Sequence, residues 1–215
     1  MKIIKRLFIL IIVIALVLVV GVFMFTKSIA YEVTDADLPQ DVYSESGNLL
    51  TIAQLNLMGL VLADEQERYT IIEEFMNYVL LDSIRTNINS AYDPLGDLIT
   101  DDANYVMSKG AFYIDYVYAE LNDNDQIVVC LCFGTNQYYT MHSALFLTFD
   151  IDIEIELLNV NVVLTLSEYK IADKKLSMKI LDFAFNKLDK SSIEDSMTFG
   201  VLDLDAYTFT FSLIN

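Results

Sequence analysis

The chain has 215 residues, 54% of them hydrophobic, and a formal net charge of −18. That length fills one core well and two poorly. Every acidic residue lies at or beyond Glu32, so setting aside Lys2, Lys5, Arg6 and Lys27 leaves nine basic against thirty-one acidic residues, a net −22 over residues 31–215. So acidic a domain is repelled by nucleic acid and by anionic lipid headgroups, which excludes DNA and RNA as partners.

The N-terminus carries Lys2, Lys5 and Arg6, followed by "LFILIIVIALVLVVGVFMF", Leu7 to Phe25, without a charge. As a helix this run is about 28 Å long, enough to cross a hydrocarbon core of about 30 Å. The preceding positive charge keeps the N-terminus cytoplasmic and sends the remainder out. "SIA" at Ser28 to Ala30 offers a cleavage site before Tyr31. However, the apolar run exceeds the ~7–15 residues of a signal core, so an uncleaved, single-pass anchor in the cell membrane is expected. Residues 1–30 then form the cytoplasmic N-terminus and anchor. Residues 31–50, with one of the two prolines, read as a linker, and residues 51–215 as an extracytoplasmic domain.

The first part of that domain reads as helical. "LTIAQLNLMGLVLADEQ" offers Thr51 as a cap, with Ile52, Leu55 and Leu62 as the apolar positions. Further on, Ile72, Phe75, Met76, Val79, Leu80, Ile84 and Ile88 follow the i, i+3, i+4 spacing of one helix face. Glu73, Glu74, Asn77 and Arg85 fall outside that stripe. "YDPLGD" closes the helical half at a loop.

Strands come next. Residues 111–121 and 126–134, joined by "NDND", predict a hairpin; strands at 144–158, 161–171 and 176–180 continue it. A short helical piece, "DFAFNKL", precedes a last strand at 206–214. Short connections predict antiparallel pairing, and alternation predicts one covered and one wet face. In "TFDIDIEIEL", Asp150, Asp152, Glu154 and Glu156 share one parity, while Phe149, Ile151, Ile153 and Ile155 share the other. Same-face carboxylates on a strand lie about 7 Å apart in a line, whereas calcium needs six to eight oxygens converging on one point. The acidic row therefore reads as the solvated side of the sheet.

Catalytic and metal residues are not expected. The chain lacks G-x-S-x-G, C-x-x-C and a glycine-rich phosphate loop. His142 is the only histidine, and its neighbour Ser143 would point to the opposite face of a strand, so the two form no dyad. Cys130 and Cys132, two apart on a strand, are poorly placed for a disulfide and too few for zinc; they read as small core residues. No cofactor is expected.

The anchor, the "LTIAQLN" helix start, the long alternating strands and the passage "KKLSMKILDFAFNKL" together resemble the YpmS-like membrane-anchored proteins of low-GC Gram-positive bacteria. The resemblance implies a strongly curved antiparallel sheet wrapped around a helix, similar to tubular lipid-binding folds. The expected fold is thus α+β: an N-terminal transmembrane helix, then helices packed on a curved, mainly antiparallel sheet. The expected function is a non-enzymatic envelope protein holding a lipid or other apolar ligand in a groove. That groove would run between Ile72, Phe75 and Val79 on the helix and Phe149, Ile151, Ile153 and Ile155 on the sheet. The alternative is an anchored scaffold with a fully packed core that binds an envelope protein partner.

Overall fold

The computed structural model describes residues 30–31, 33, 38–45, 47–95, 104–135, 141–156, 159–177, 179 and 201–213. The expected anchor Leu7 to Phe25 and the "DFAFNKL" segment lie outside them.

Among the described residues three helices come first: α1 (Gln40–Ser44), α2 (Leu49–Gly59) and α3 (Glu65–Asn87). Asn48, not Thr51, caps α2, its side chain accepting from the Thr51 N–H. Asp64 caps α3 by accepting from the Glu67 N–H, with Glu65 and Glu67 in the first turn and Arg85 in the last. Those charges oppose the helix dipole at both ends.

Eight strands follow among the described residues: β1 (Met107–Lys109), β2 (Phe112–Leu121), β3 (Ile127–Thr135), β4 (Met141–Glu156), β5 (Asn159–Ile171), β6 (Lys174–Lys175), β7 (Val201–Asp203) and β8 (Thr208–Leu213). They form one sheet in the order β1-β2-β3-β4-β5-β8-β7, with β6 pairing the end of β5 and every pair antiparallel. The chain is therefore an α+β domain, as the alternating second half predicts. The two-residue β6 lies just before the expected strand at 176–180; Leu176 and Ser177 are in no strand, and residues 178 and 180 lie outside the described residues.

The sheet curls around α3. Phe75 stacks on Phe211 of β8 at a centroid distance of 4.8 Å. Two residues later, Asn77 hydrogen-bonds both backbone groups of Ala119 on the edge of β2 (2.8 and 2.7 Å). In a flat sheet β2 and β8 would lie four strand spacings, about 19 Å, apart. One turn of helix reaches both because the sheet bends. Cross-strand rows such as Ile153–Val162–Phe211 and Val129–Leu147–Tyr169 face inward along that bend.

The outer edge of β2 is closed by side chains. The Tyr92 hydroxyl donates to the Asp115 carbonyl (2.8 Å), the Tyr43 hydroxyl donates to that of Val117 (3.1 Å), and Asn77 takes Ala119. Three alternate edge positions, Asp115, Val117 and Ala119, thus find partners without a neighbouring strand, which removes the pairing hazard of an open edge.

Part of the stretch read as a linker belongs to the domain. Leu38, Val42, Tyr43 and Leu49 are buried. Arg85 pins α1 by donating to the carbonyls of Tyr43 and Glu45 while its Nε donates to Tyr92. In α2 the buried positions are Leu49, Ala53 and Leu57, followed by Leu60 just past its end, whereas Leu55 in the helix and Leu62 in the turn after it, read as core-facing, are exposed together with Met58. Thr51 and Gln54 mark the exposed face, but the leucines fall on both faces, and packing on α3 decides which of them are covered.

Candidate functional site

The seven residues named for a groove divide into two groups. Ile72 and Phe75 are fully buried in the core. Val79, Phe149, Ile151, Ile153 and Ile155 are half-buried and pack against it. The division follows from strand length. β3 pairs β4 only as far as Ile127↔Phe149, whereas β5 follows β4 to Glu156. The last seven residues of β4, Asp150 to Glu156, overhang the β2–β3 hairpin. Their cross-strand partners on β5 (Val160, Val162 and Leu164) are only 1% exposed, so the lip of the concavity lies along β4.

Backbone direction follows from the hydrogen bonds at the start of β4. His142 O accepts from Tyr31 N–H and Ala144 O from Ala172 N–H, both on the β5 side. Even-numbered residues of β4 therefore turn their backbone groups to β5, and odd-numbered ones turn theirs to β3. Beyond Phe149, Ile151, Ile153 and Ile155 face no strand among the described residues. Asp150, Asp152 and Glu154 stand exposed on the outer face, opposite Thr165, Val163 and Asn161. They have no cross-strand cation. Gln126 donates to Asp150 Oδ1 (2.6 Å) and ties the hairpin turn to the start of the overhang.

An open cavity of about 360 Å³ lies on the outer face, over β2 to β5. Val128, Phe146 and Thr148 lie in it, with Glu120, Lys170 and Asp173 also lining it, and Tyr31 sets its ring edge-on to Phe146 at 5.0 Å. Lys170 is paired with Glu168 at 2.5 Å. Tyr31 thus joins the β4 backbone at the end of the β5 column, which places the first described residues against the sheet.

His142 and Ser143 lie on opposite faces of β4, as the alternation predicts. His142 meets the Tyr113 hydroxyl (3.1 Å to Nδ1). Ser143 is buried on the inner face opposite Phe133, its Oγ without a hydrogen-bond partner among the described residues. Cys130 and Cys132 are buried and free, with sulfurs 3.5 Å apart. The hydrogen bond to Cys130, together with burial, pushes the Cys132 thiol far up, so it is no thiolate nucleophile. Among the described residues no three His, Cys, Asp or Glu side chains converge as a metal set.

Gly134 makes the Tyr113–His142 contact possible. A Cβ there would lie 2.4 Å from the Tyr113 hydroxyl and 2.6 Å from the Met141 carbonyl. Because one of these is backbone, Gly134→Ala is expected to cost roughly 1–3 kcal/mol through forced displacement, measured by denaturant melts of the two proteins.

Asp115 sits in the β2 bulge between Ile114 and Val117, accepts from the Tyr116 N–H, and is pushed above the ordinary carboxylate range by burial. Nearby His142 and backbone hydrogen bonds act in the opposite sense. A raised folded value means that the unfolded chain releases this proton first. Its contribution is therefore fully present below the ordinary aspartate value of about 3.9 and is lost as pH rises through the folded value. Asp115→Asn is expected to raise Tm at pH 7 and to shrink the difference between Tm at pH 5 and pH 7. Unchanged pH dependence in differential scanning calorimetry would contradict this.

Comparison with known protein families, with curated proteins and with solved structures finds no match to this chain.

Proposed function

We propose that this chain is a membrane-anchored, non-enzymatic protein of the cell envelope whose outer domain is a scaffold for a protein partner. In this reading, Leu7 to Phe25 spans the membrane with the N-terminus inside. The packing of the concavity carries the proposal: Ile72, Phe75, Val162 and Phe211 are 0–2% exposed, and the two rings stack. A core filled at that level favours a rigid presenting surface over an internal lipid tunnel. The non-enzymatic part rests on the separation of His142 and Ser143 and on the raised Cys132 thiol. The YpmS-like resemblance belongs to the same proposal.

A second reading, apolar-ligand binding, is favoured by one observation. Phe149, Ile151, Ile153 and Ile155 remain half-exposed in a row along β4, where an acyl chain would lie. Solvent extraction and mass spectrometry of the full chain purified from membranes separates the two. The scaffold reading expects no stoichiometric lipid that responds to the site. A stoichiometric lipid displaced by Ile153→Phe would establish the ligand reading instead. N-terminal sequencing of the membrane-bound chain tests the anchor: a start at Tyr31 would overturn it.

A further inference from the structure

The domain treats its two long strand edges in opposite ways. At β2, three alternate edge positions are sealed by Tyr92, Tyr43 and Asn77. At β4, the edge of Ile151, Ile153 and Ile155 meets no other strand among the described residues over seven positions, with no lysine, proline or bulge of its own. From this contrast we infer that the β4 overhang is a docking edge that accepts an extended peptide strand of a partner protein, with apolar and basic residues alternating. The inference rests on the scaffold reading and names the surface and the partner's chemistry.

Three features select that occupant. Open N–H and C=O groups call for a partner backbone; an acyl chain would cover the isoleucines and leave those groups unpaired. The half-exposed apolar row offers a surface for every second side chain of the incoming strand. The exposed Asp150, Asp152 and Glu154, unmatched by any cation across β5, favour Lys or Arg at the positions between. A second copy of the chain would lay one acidic row beside another about 4.8 Å away, which like-charge repulsion opposes.

The test uses the full chain in detergent micelles and a fluorescein-labelled nine-residue peptide alternating lysine and valine. It is expected to bind at least tenfold more tightly than a peptide of the same composition with lysines and valines in separate blocks. Ile153→Pro removes a donor from the open side and leaves the β5 hydrogen bonds of its neighbours intact, since proline is tolerated where the N–H faces outward. It is expected to weaken binding at least tenfold with an unchanged circular dichroism spectrum. Should that variant fail to fold, the same peptide N-methylated at every second residue probes the wild type, and a tenfold loss is again expected. Asp152→Asn with Glu154→Gln is expected to flatten the salt dependence. Equal binding of the block peptide, or no loss with either backbone modification, overturns the edge inference and leaves the scaffold reading standing. A dimer that Ile153→Pro dissociates overturns it in favour of a second copy. Lipid displaced by Ile153→Phe defeats the scaffold reading itself.

Discussion

Asn77→Leu is expected to destabilise the domain by roughly 2–6 kcal/mol, because it strands two buried backbone groups at about 1–3 kcal/mol each. Asn77 is 4% exposed, and its amide pairs with both the N–H and the C=O of Ala119. No water or neighbouring strand replaces those bonds once leucine fills the space. A loss of that size is a large share of the 5–15 kcal/mol that holds a typical domain together. Denaturant melts measure the cost, and hydrogen exchange at Ala119 locates it. Asn77→Asp provides an internal check. A carboxylate keeps the acceptor for the Ala119 N–H but turns a second oxygen toward its carbonyl. Only the protonated form restores the donor, so the aspartate variant should recover stability as pH falls. A variant insensitive to pH, or a leucine variant within about 0.5 kcal/mol of wild type, would show that α3 does not seal β2 through this amide.

Phe75→Ala should cost roughly 3–5 kcal/mol, the usual range for emptying an aromatic site in a core. Phe75 is 1% exposed and stacked on Phe211, and it closes the concavity between α3 and β8. The variant should also open a dry apolar cavity at the Phe75 site that takes up a small aromatic probe such as benzene. Ile153→Ala, on the half-exposed lip, should cost much less. If the two substitutions cost the same, the concavity is not packed at Phe75, and the case for a filled core fails.

Both predictions turn on residues whose type the sequence displays and whose role it does not. The alternation of Phe149 to Ile155 against Asp150 to Glu154 is enough to predict a strand with one wet and one covered face. Period-two patterning is local, and β4 obeys it from Phe149 to Ile155, whereas Ala144 and Thr148, on the parity of the acidic row, are buried under other parts of the domain. The short turns around Asp123 and Ala172 likewise predict antiparallel pairing, because few residues leave no room for a crossover. The stripe from Ile72 to Ile84 predicts the core face of α3, since its polar positions give the pattern a phase. In and just after α2, leucines stand on both faces beside only a few polar positions, and Leu55 and Leu62 ended on the outside.

Asn77 shows the limit more sharply. It lies off the apolar stripe and reads as a solvent-facing residue, yet it is buried against a strand edge 42 positions away. Nothing within its own helix signals that edge, which exists only once β2 has paired with β3 on its other side. The same holds for the candidate site. The residues of the β4 row are legible as an apolar face, and Ile72 and Phe75 as its cover. Which of them are sealed and which stay open depends on where β3 stops, at Ile127 opposite Phe149. Strand register and relative length are properties of pairs. One strand's sequence therefore sets its faces, while its neighbours decide which of its edges meets solvent.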